Sequence, residues 1–136
     1  MKTYKNILNQ FAKKKILVIG DVILDRYIQG SVSRISPEAP VPVVLEDTSF
    51  FLPGGSANVS QNLCGLGAHV TQIGRVGNDF EGKILKRELK KHKVDVTGLM
   101  LDTNAPTVTK TRVIAQNQQI VRIDKEKPNN KSSKSF

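Results

Sequence analysis

The chain has 136 residues, 38% of them hydrophobic and 24% charged, the composition of one ordinary globular domain with room for a core. Its longest strongly apolar run, residues 16–19, is far too short to cross a bilayer, and the Lys-rich N-terminus leads into no secretory segment, so a cytoplasmic protein without membrane function is expected. A formal net charge of +9 suits a phosphorylated ligand, a nucleic acid or an acidic surface.

Residues 2–11 place Tyr4, Ile7, Leu8 and Phe11 at helical spacing, which predicts a short amphipathic helix packed on the domain edge and sets 1–14 apart as an N-terminal element. Ile16-Leu17-Val18-Ile19 then reads as a central strand covered on both faces, the habit of parallel sheets. Asp21 follows at the carboxyl end of that strand, where open α/β sheets collect their ligands. It is either a ligand for hydroxyl groups or a cap for the turn.

After Asp25-Arg26-Tyr27, Pro37, Pro40 and Pro42 forbid a helix, while the alternation Val41, Val43, Leu45 favours an extended edge. The segment is a strand leaving the main sheet, or a proline-stiffened loop. Pro53-Gly54-Gly55-Ser56-Ala57-Asn58 comes next, a glycine pair leading into a helix. Glycine lets backbone N–H groups approach a ligand closely, so the stretch reads as a sugar cradle or, more plainly, as a loop-to-helix turn.

From Ser56 the spacing Val59, Leu63, Leu66 predicts a helix with one apolar stripe, ended by Gly67. Cys64, the only cysteine, excludes an internal disulfide and a cysteine-built metal cluster, and reads as a small buried residue. A strand is expected over 70–73, a glycine-punctuated loop over 74–79, a second helix marked by Phe80, Ile84, Leu85 and Leu89, and another strand over 94–99. Strand, helix, strand, helix, strand implies a parallel sheet with right-handed crossovers. His69 and His92 fall at element boundaries and read as surface residues.

Residues 107–114 alternate at period two, and 119–124 do so again across a polar turn at Asn117. Lys110 and Arg112 fall on one face, where they hold a phosphate or simply form the solvated face of an edge hairpin. Residues 127–136 have no periodicity and are expected to be disordered. The other basic residues sit on helix faces and in this tail, without interleaved aromatics, which argues against nucleic-acid binding.

Taken in order, Gly20-Asp21-Val22-Ile23-Leu24-Asp25-Arg26-Tyr27, Arg34-Ile35-Ser36-Pro37-Glu38-Ala39-Pro40-Val41-Pro42, the glycine-pair stretch, Thr109-Lys110-Thr111-Arg112-Val113 and Arg122-Ile123-Asp124 resemble the start of the heptose 7-phosphate kinases. These are a branch of the ribokinase-like (phosphofructokinase B type) carbohydrate kinases, and the resemblance covers about residues 15–126. Ser56 stands where alanine is more usual in the family.

The resemblance implies a three-layer α/β/α fold with a protruding β lid, of which this chain carries the N-terminal half, with lid segments near 28–46 and 106–124. It implies that Asp21, Gly54, Gly55 and Asn58 hold sugar hydroxyls, and it makes Arg34, Lys110 and Arg112 candidates for lid or substrate-phosphate contacts. The implied reaction is ATP- and Mg²⁺-dependent phosphorylation of heptose 7-phosphate at C1, feeding ADP-heptose and lipopolysaccharide synthesis, by a homodimer joined through lid strands. The family's base, the Asp of a Gly-Ala-Gly-Asp motif, has no counterpart in residues 1–136, so no catalytic residue is assigned and the chain alone is expected to be inactive. The alternative is a non-catalytic sugar-phosphate-binding or dimerising module acting with an intact kinase.

Overall fold

A computed structural model describes residues 2–127. In chain order the elements are α1 (Lys2–Phe11), β1 (Lys15–Ile19), β2 (Val22–Ile35), β3 (Pro42–Gly55), α2 (Ser56–Gly65), β4 (His69–Gly77), α3 (Phe80–Lys91), β5 (Leu99–Asp102), β6 (Thr109–Ala115) and β7 (Gln118–Lys125). They form two sheets. One is parallel, in the order β1-β4-β5, and the other is mixed, in the order β3-β2-β6-β7.

The parallel sheet follows from the β-α-β order, as expected, but its strands lie differently. β4 runs on through Gly74-Arg75-Val76-Gly77, which the sequence reads as a loop, because Gly74 to Gly77 pair with β5. β5 itself begins only at Leu99; of the expected strand over 94–99, Asp95 makes a single parallel bridge to Thr71 of β4 before a turn in which its carboxylate accepts from the Thr97 backbone N–H at 2.9 Å. Val70, Gln72, Val76 and Leu99 point to one face of this sheet and are buried there under α2 and α3 with Ala57, Ile84, Leu85 and Leu89.

The opposite face is not covered by any described element. Leu17 is 56% exposed, Ile19 70% and Met100 56%, so β1 is an edge strand half-buried on one face rather than the expected central strand covered on two. The helix stripes also differ from expectation. Val59 and Leu66 are exposed on α2, which buries Ala57 and Ser60 instead, and Phe80 is exposed at the start of α3. Tyr4, Ile7 and Leu8 on α1 are exposed as well, so that helix does not seal the edge.

The mixed sheet is built on one long hairpin. β2 and β3 are 14 residues each and pair antiparallel from Val22–Gly55 to Ile35–Pro42, with Pro37 and Pro40 in the turn and β3 on the sheet edge. Proline at an edge or a turn removes no ladder bond, which is why the Pro-rich stretch is tolerated here. β6 adds parallel to β2, and β7 folds back on β6 through Gln116-Asn117, both at positive φ (52° and 62°). Two successive positive-φ residues make the two-residue turn that matches strand twist. No helix among the described residues is long and apolar enough to cross a membrane.

Candidate functional site

Gly54 and Gly55 are not in a loop: they are the last two residues of β3, paired with Ile23 and Val22. Their lack of a side chain is nevertheless required. A methyl group on Gly54 would overlap the Asp25 carboxylate, and one on Gly55, at φ 57°, would lie 2.6 Å from the Asp21 carbonyl oxygen. Gly55 is also the residue that opens α2, and no side chain caps that helix. The Ser56 N–H is taken by the Asp21 carbonyl, so only the N–H groups that follow it in the first turn lack a capping side chain. By contrast, α3 is capped by Asp79, whose Oδ1 accepts from the Gly82 N–H at 2.9 Å.

Ser56 fixes how β3 and α2 meet the end of β1. Its N–H and its hydroxyl both donate to the Asp21 carbonyl, each at 2.9 Å, and its Oγ accepts from Gln72 Nε2 at 3.0 Å. Gln72 is fully buried in β4, and its Oε1 accepts from Ser60 Oγ at 2.5 Å while the two hydrogens of Nε2 are shared among Ser56 Oγ and the Val18 and Ile73 carbonyls. A buried side-chain amide with every group partnered rigidifies its surroundings. Ser56 is thus a bridge between the sheet core and the Asp21 turn.

Asp21 meets Gly55 and the start of α2 through its backbone carbonyl, while Gly54 stands against Asp25. Asp21 also lines a cleft of about 810 Å³ over the open face of the parallel sheet, with Gly74, Arg75, Asp102 and Val108 around it. Asn58 is exposed on the first turn of α2; its Oδ1 accepts from Gln61 Nε2 at 2.8 Å, which leaves its amide N–H groups to donate outward.

The residue that sequence reasoning missed is Asp25. On β2 it shares a face with Ile23 and Tyr27, and this face carries Gly54 from β3 on one side and Lys110 and Arg112 from β6 on the other. Arg112 Nη1 donates to Asp25 Oδ1 at 2.6 Å. The same guanidinium stands 5.3 Å from the centre of the Tyr27 ring, which stacks on Phe50 with centroids 5.1 Å apart. The hydrogen bond to Asp25 raises the Arg112 pKa against the opposing effect of burial. Asp25 Oδ2 makes no hydrogen bond among the described residues and stands beside Gly54. The alternation Ile23, Asp25, Tyr27 was the signal available; it is period two once β2 is read as a strand.

Lys110 and Arg112 share a face as predicted, but both are engaged, Lys110 Nζ donating to Asp124 Oδ2 at 3.0 Å. Arg34 is not part of this group. It lies nine residues along β2 from Asp25, roughly 30 Å at strand rise, near the exposed turn of the long hairpin. Asp79 is held by Thr107, whose N–H and Oγ1 donate to it at 3.0 and 2.6 Å, and by Lys125 at 3.6 Å, so its role is to join α3 to the root of β6 and β7.

No group of three His, Cys, Asp or Glu side chains converges among the described residues.

Residues 13–136 match the family described as pfkB family carbohydrate kinase. The chain is 48% identical over 118 residues to the bifunctional protein HldE of Magnetococcus marinus, covering 87% of this chain and 24% of that protein. It is 50% identical over 122 residues to the bifunctional protein HldE of Gluconobacter oxydans, covering 89% of this chain and 26% of that protein. The chain thus spans about a quarter of the length of these curated relatives. Among solved structures, a carbohydrate kinase from Agrobacterium tumefaciens superposes with a TM-score of 0.66 at 24% identity, over 82% of this chain and 35% of that one. The Arabidopsis thaliana ribokinase complexed with ribose and ATP gives 0.65 at 21% identity, with the same coverage. At these identities the likeness shows the fold, which is the ribokinase-like α/β fold.

Proposed function

The chain belongs to the pfkB family of carbohydrate kinases, and from that premise we propose that it forms the sugar-binding part of an ATP-dependent kinase for heptose 7-phosphate, in the route to ADP-heptose and lipopolysaccharide. The observation that carries the reading is the Asp25 carboxylate seated against Gly54, with one oxygen held by Arg112 and the other open. A carboxylate fixed in place accepts hydrogen bonds from sugar hydroxyls without first losing rotamer freedom. In this reading Asn58, on the first turn of α2, supplies further donors and Asp21, at the carboxyl end of β1, a second carboxylate. The identity of about one half to the HldE proteins supports the heptose branch.

The four-stranded sheet acts in this reading as the lid, with segments near 28–46 and 106–124. Its two edges, on β3 and β7, and the exposed Leu45, Ile120 and Val121 support pairing with a second copy. Phosphoryl transfer depends on positioning and charge neutralisation by a base, an anion hole and Mg²⁺. ATP is the donor by family, and residues 1–136 contain no Gly-Ala-Gly-Asp sequence for the base. The reading places the protein in the cytoplasm, where ATP is available.

Two assays test this. Isothermal calorimetry of the chain with heptose 7-phosphate should show binding that Asp25→Asn weakens about tenfold or more, the scale of a lost charge-assisted hydrogen bond. Incubation with ATP, Mg²⁺ and the sugar should yield no heptose bisphosphate; formation that scales with chain concentration would overturn the assignment of a sugar-binding part without a catalytic centre. The two free sheet edges also favour a second reading, a dimerising module beside an intact kinase, and hetero-dimers on mixing with a full-length HldE would select it.

A further inference from the structure

Arg112 on β6 and Arg122 on β7 are directly opposite each other, and Lys110 is opposite Asp124 one step along the same face. Directly opposed like charges destabilise a strand pair, so each guanidinium needs its own compensation. The two find it in opposite directions. Arg112 turns toward β2 and pairs with Asp25 alone. Arg122 turns along its own strand, and its Nε and Nη2 donate to Asp124 at 2.9 and 3.0 Å. Lys110 donates to the same Asp124 carboxylate.

Two cations therefore share one carboxylate on the β6–β7 hairpin, leaving a positive charge in excess, while the Arg112–Asp25 pair is neutral. The two guanidinium groups also differ in freedom. The Arg112 side chain is 22% exposed, beside Tyr27, whereas Arg122 is 49% exposed and can turn to a ligand. We propose that Lys110 and Arg122 form a phosphate subsite on this hairpin and that Arg112 is a positioning residue that fixes Asp25. This rests on the sugar-site reading above.

The spacing suits a sugar that carries its phosphate on an extended arm. Asp25 and Arg122 stand two strands apart on one face, which is roughly 10 Å at the usual interstrand distance. Hydroxyls at Asp25 and Gly54 would leave the phosphate over the β6–β7 hairpin. A phosphate monoester brings near-double negative charge and several acceptor oxygens, which a guanidinium and an ammonium together can match.

The test is a set of NMR titrations of the 136-residue chain with heptose 7-phosphate, unphosphorylated heptose and inorganic phosphate, comparing Arg122→Gln, Lys110→Gln and Arg112→Gln, with circular dichroism to confirm each fold. Arg122→Gln and Lys110→Gln should each weaken the sugar phosphate about tenfold and leave unphosphorylated heptose within about twofold. Arg112→Gln should weaken both sugars alike. A selective loss of phosphate recognition on Arg112→Gln, or none on Arg122→Gln, overturns the assignment. Inorganic phosphate binding through Arg122 without sugar binding would sink the sugar-site reading and leave this subsite standing. Sugar binding to which the phosphate adds no affinity would do the reverse, and no binding of any probe would overturn both.

Discussion

The Asp25 carboxylate lies against Gly54 and takes a 2.6 Å hydrogen bond from Arg112, so three neighbouring strands, β3, β2 and β6, meet at one side chain. That contact makes the glycine pair a requirement of the site geometry as well as of the backbone.

Gly54→Ala is expected to cost about 1–3 kcal/mol, because its methyl group must push the carboxylate off Arg112. Gly55→Ala should cost at least about 1–3 kcal/mol for a different reason, since its backbone (φ 57°, ψ −132°) suits glycine and the methyl group would lie 2.6 Å from the Asp21 carbonyl oxygen. Gly65→Ala on α2, where nothing lies within 4 Å, is the control and should be neutral or stabilising by up to about 1 kcal/mol. Urea midpoints at constant m-value measure all three.

Gln72→Leu should destabilise the chain by about 1–3 kcal/mol, since it leaves the buried Ser60 hydroxyl without its partner. The same change frees Ser56 Oγ, so the Asp21 and Ser56 amide signals should move in NMR spectra. Ser56→Ala should cost less than Gln72→Leu, because the Ser56 N–H still holds the Asp21 carbonyl.

Asp79 sets an acid limit. Burial pushes its carboxyl pKa upward, but hydrogen bonds from Thr107 and Gly82 and the Lys125 charge outweigh that and hold it below the usual carboxylate value. A carboxyl whose folded pKa is depressed contributes stability above its unfolded pKa, about 3.9, and that contribution fades as pH falls through the folded value. As pH falls below about 5 the chain should therefore lose stability more steeply than Asp79→Asn, measured by thermal unfolding.

The open face of the parallel sheet should drive self-association. Sedimentation velocity should show mass increasing with concentration, and Ile19→Lys, at a position 70% exposed, should reduce it while changing stability by no more than about 0.5 kcal/mol. A chain that is monomeric at all concentrations would contradict this.

The sequence made the β-α-β order of the parallel sheet legible through its periodicities, and the β6–β7 hairpin through alternation on either side of Asn117. It did not show that β2 and β3 are the two 14-residue strands of one hairpin running down to Gly55, because the strand face with Asp25, Tyr27 and Gln29 is polar and reads locally as a turn. Asp25 was hidden for the same reason: its partner Arg112 is 87 residues away, and only the parallel pairing of β2 with β6 brings them together. Leu17 and Ile19 misled in the other direction. A continuous apolar run signals burial on both faces, but the described residues supply a cover for only one.

The most direct test of the account is amide shift mapping of the labelled chain during titration with heptose 7-phosphate. The account predicts shifts concentrated at Asp25, Gly54, Gly55, Asn58 and the β6–β7 hairpin, and their loss in Asp25→Asn. Shifts confined to other surfaces, or a response unchanged by that substitution, would contradict it.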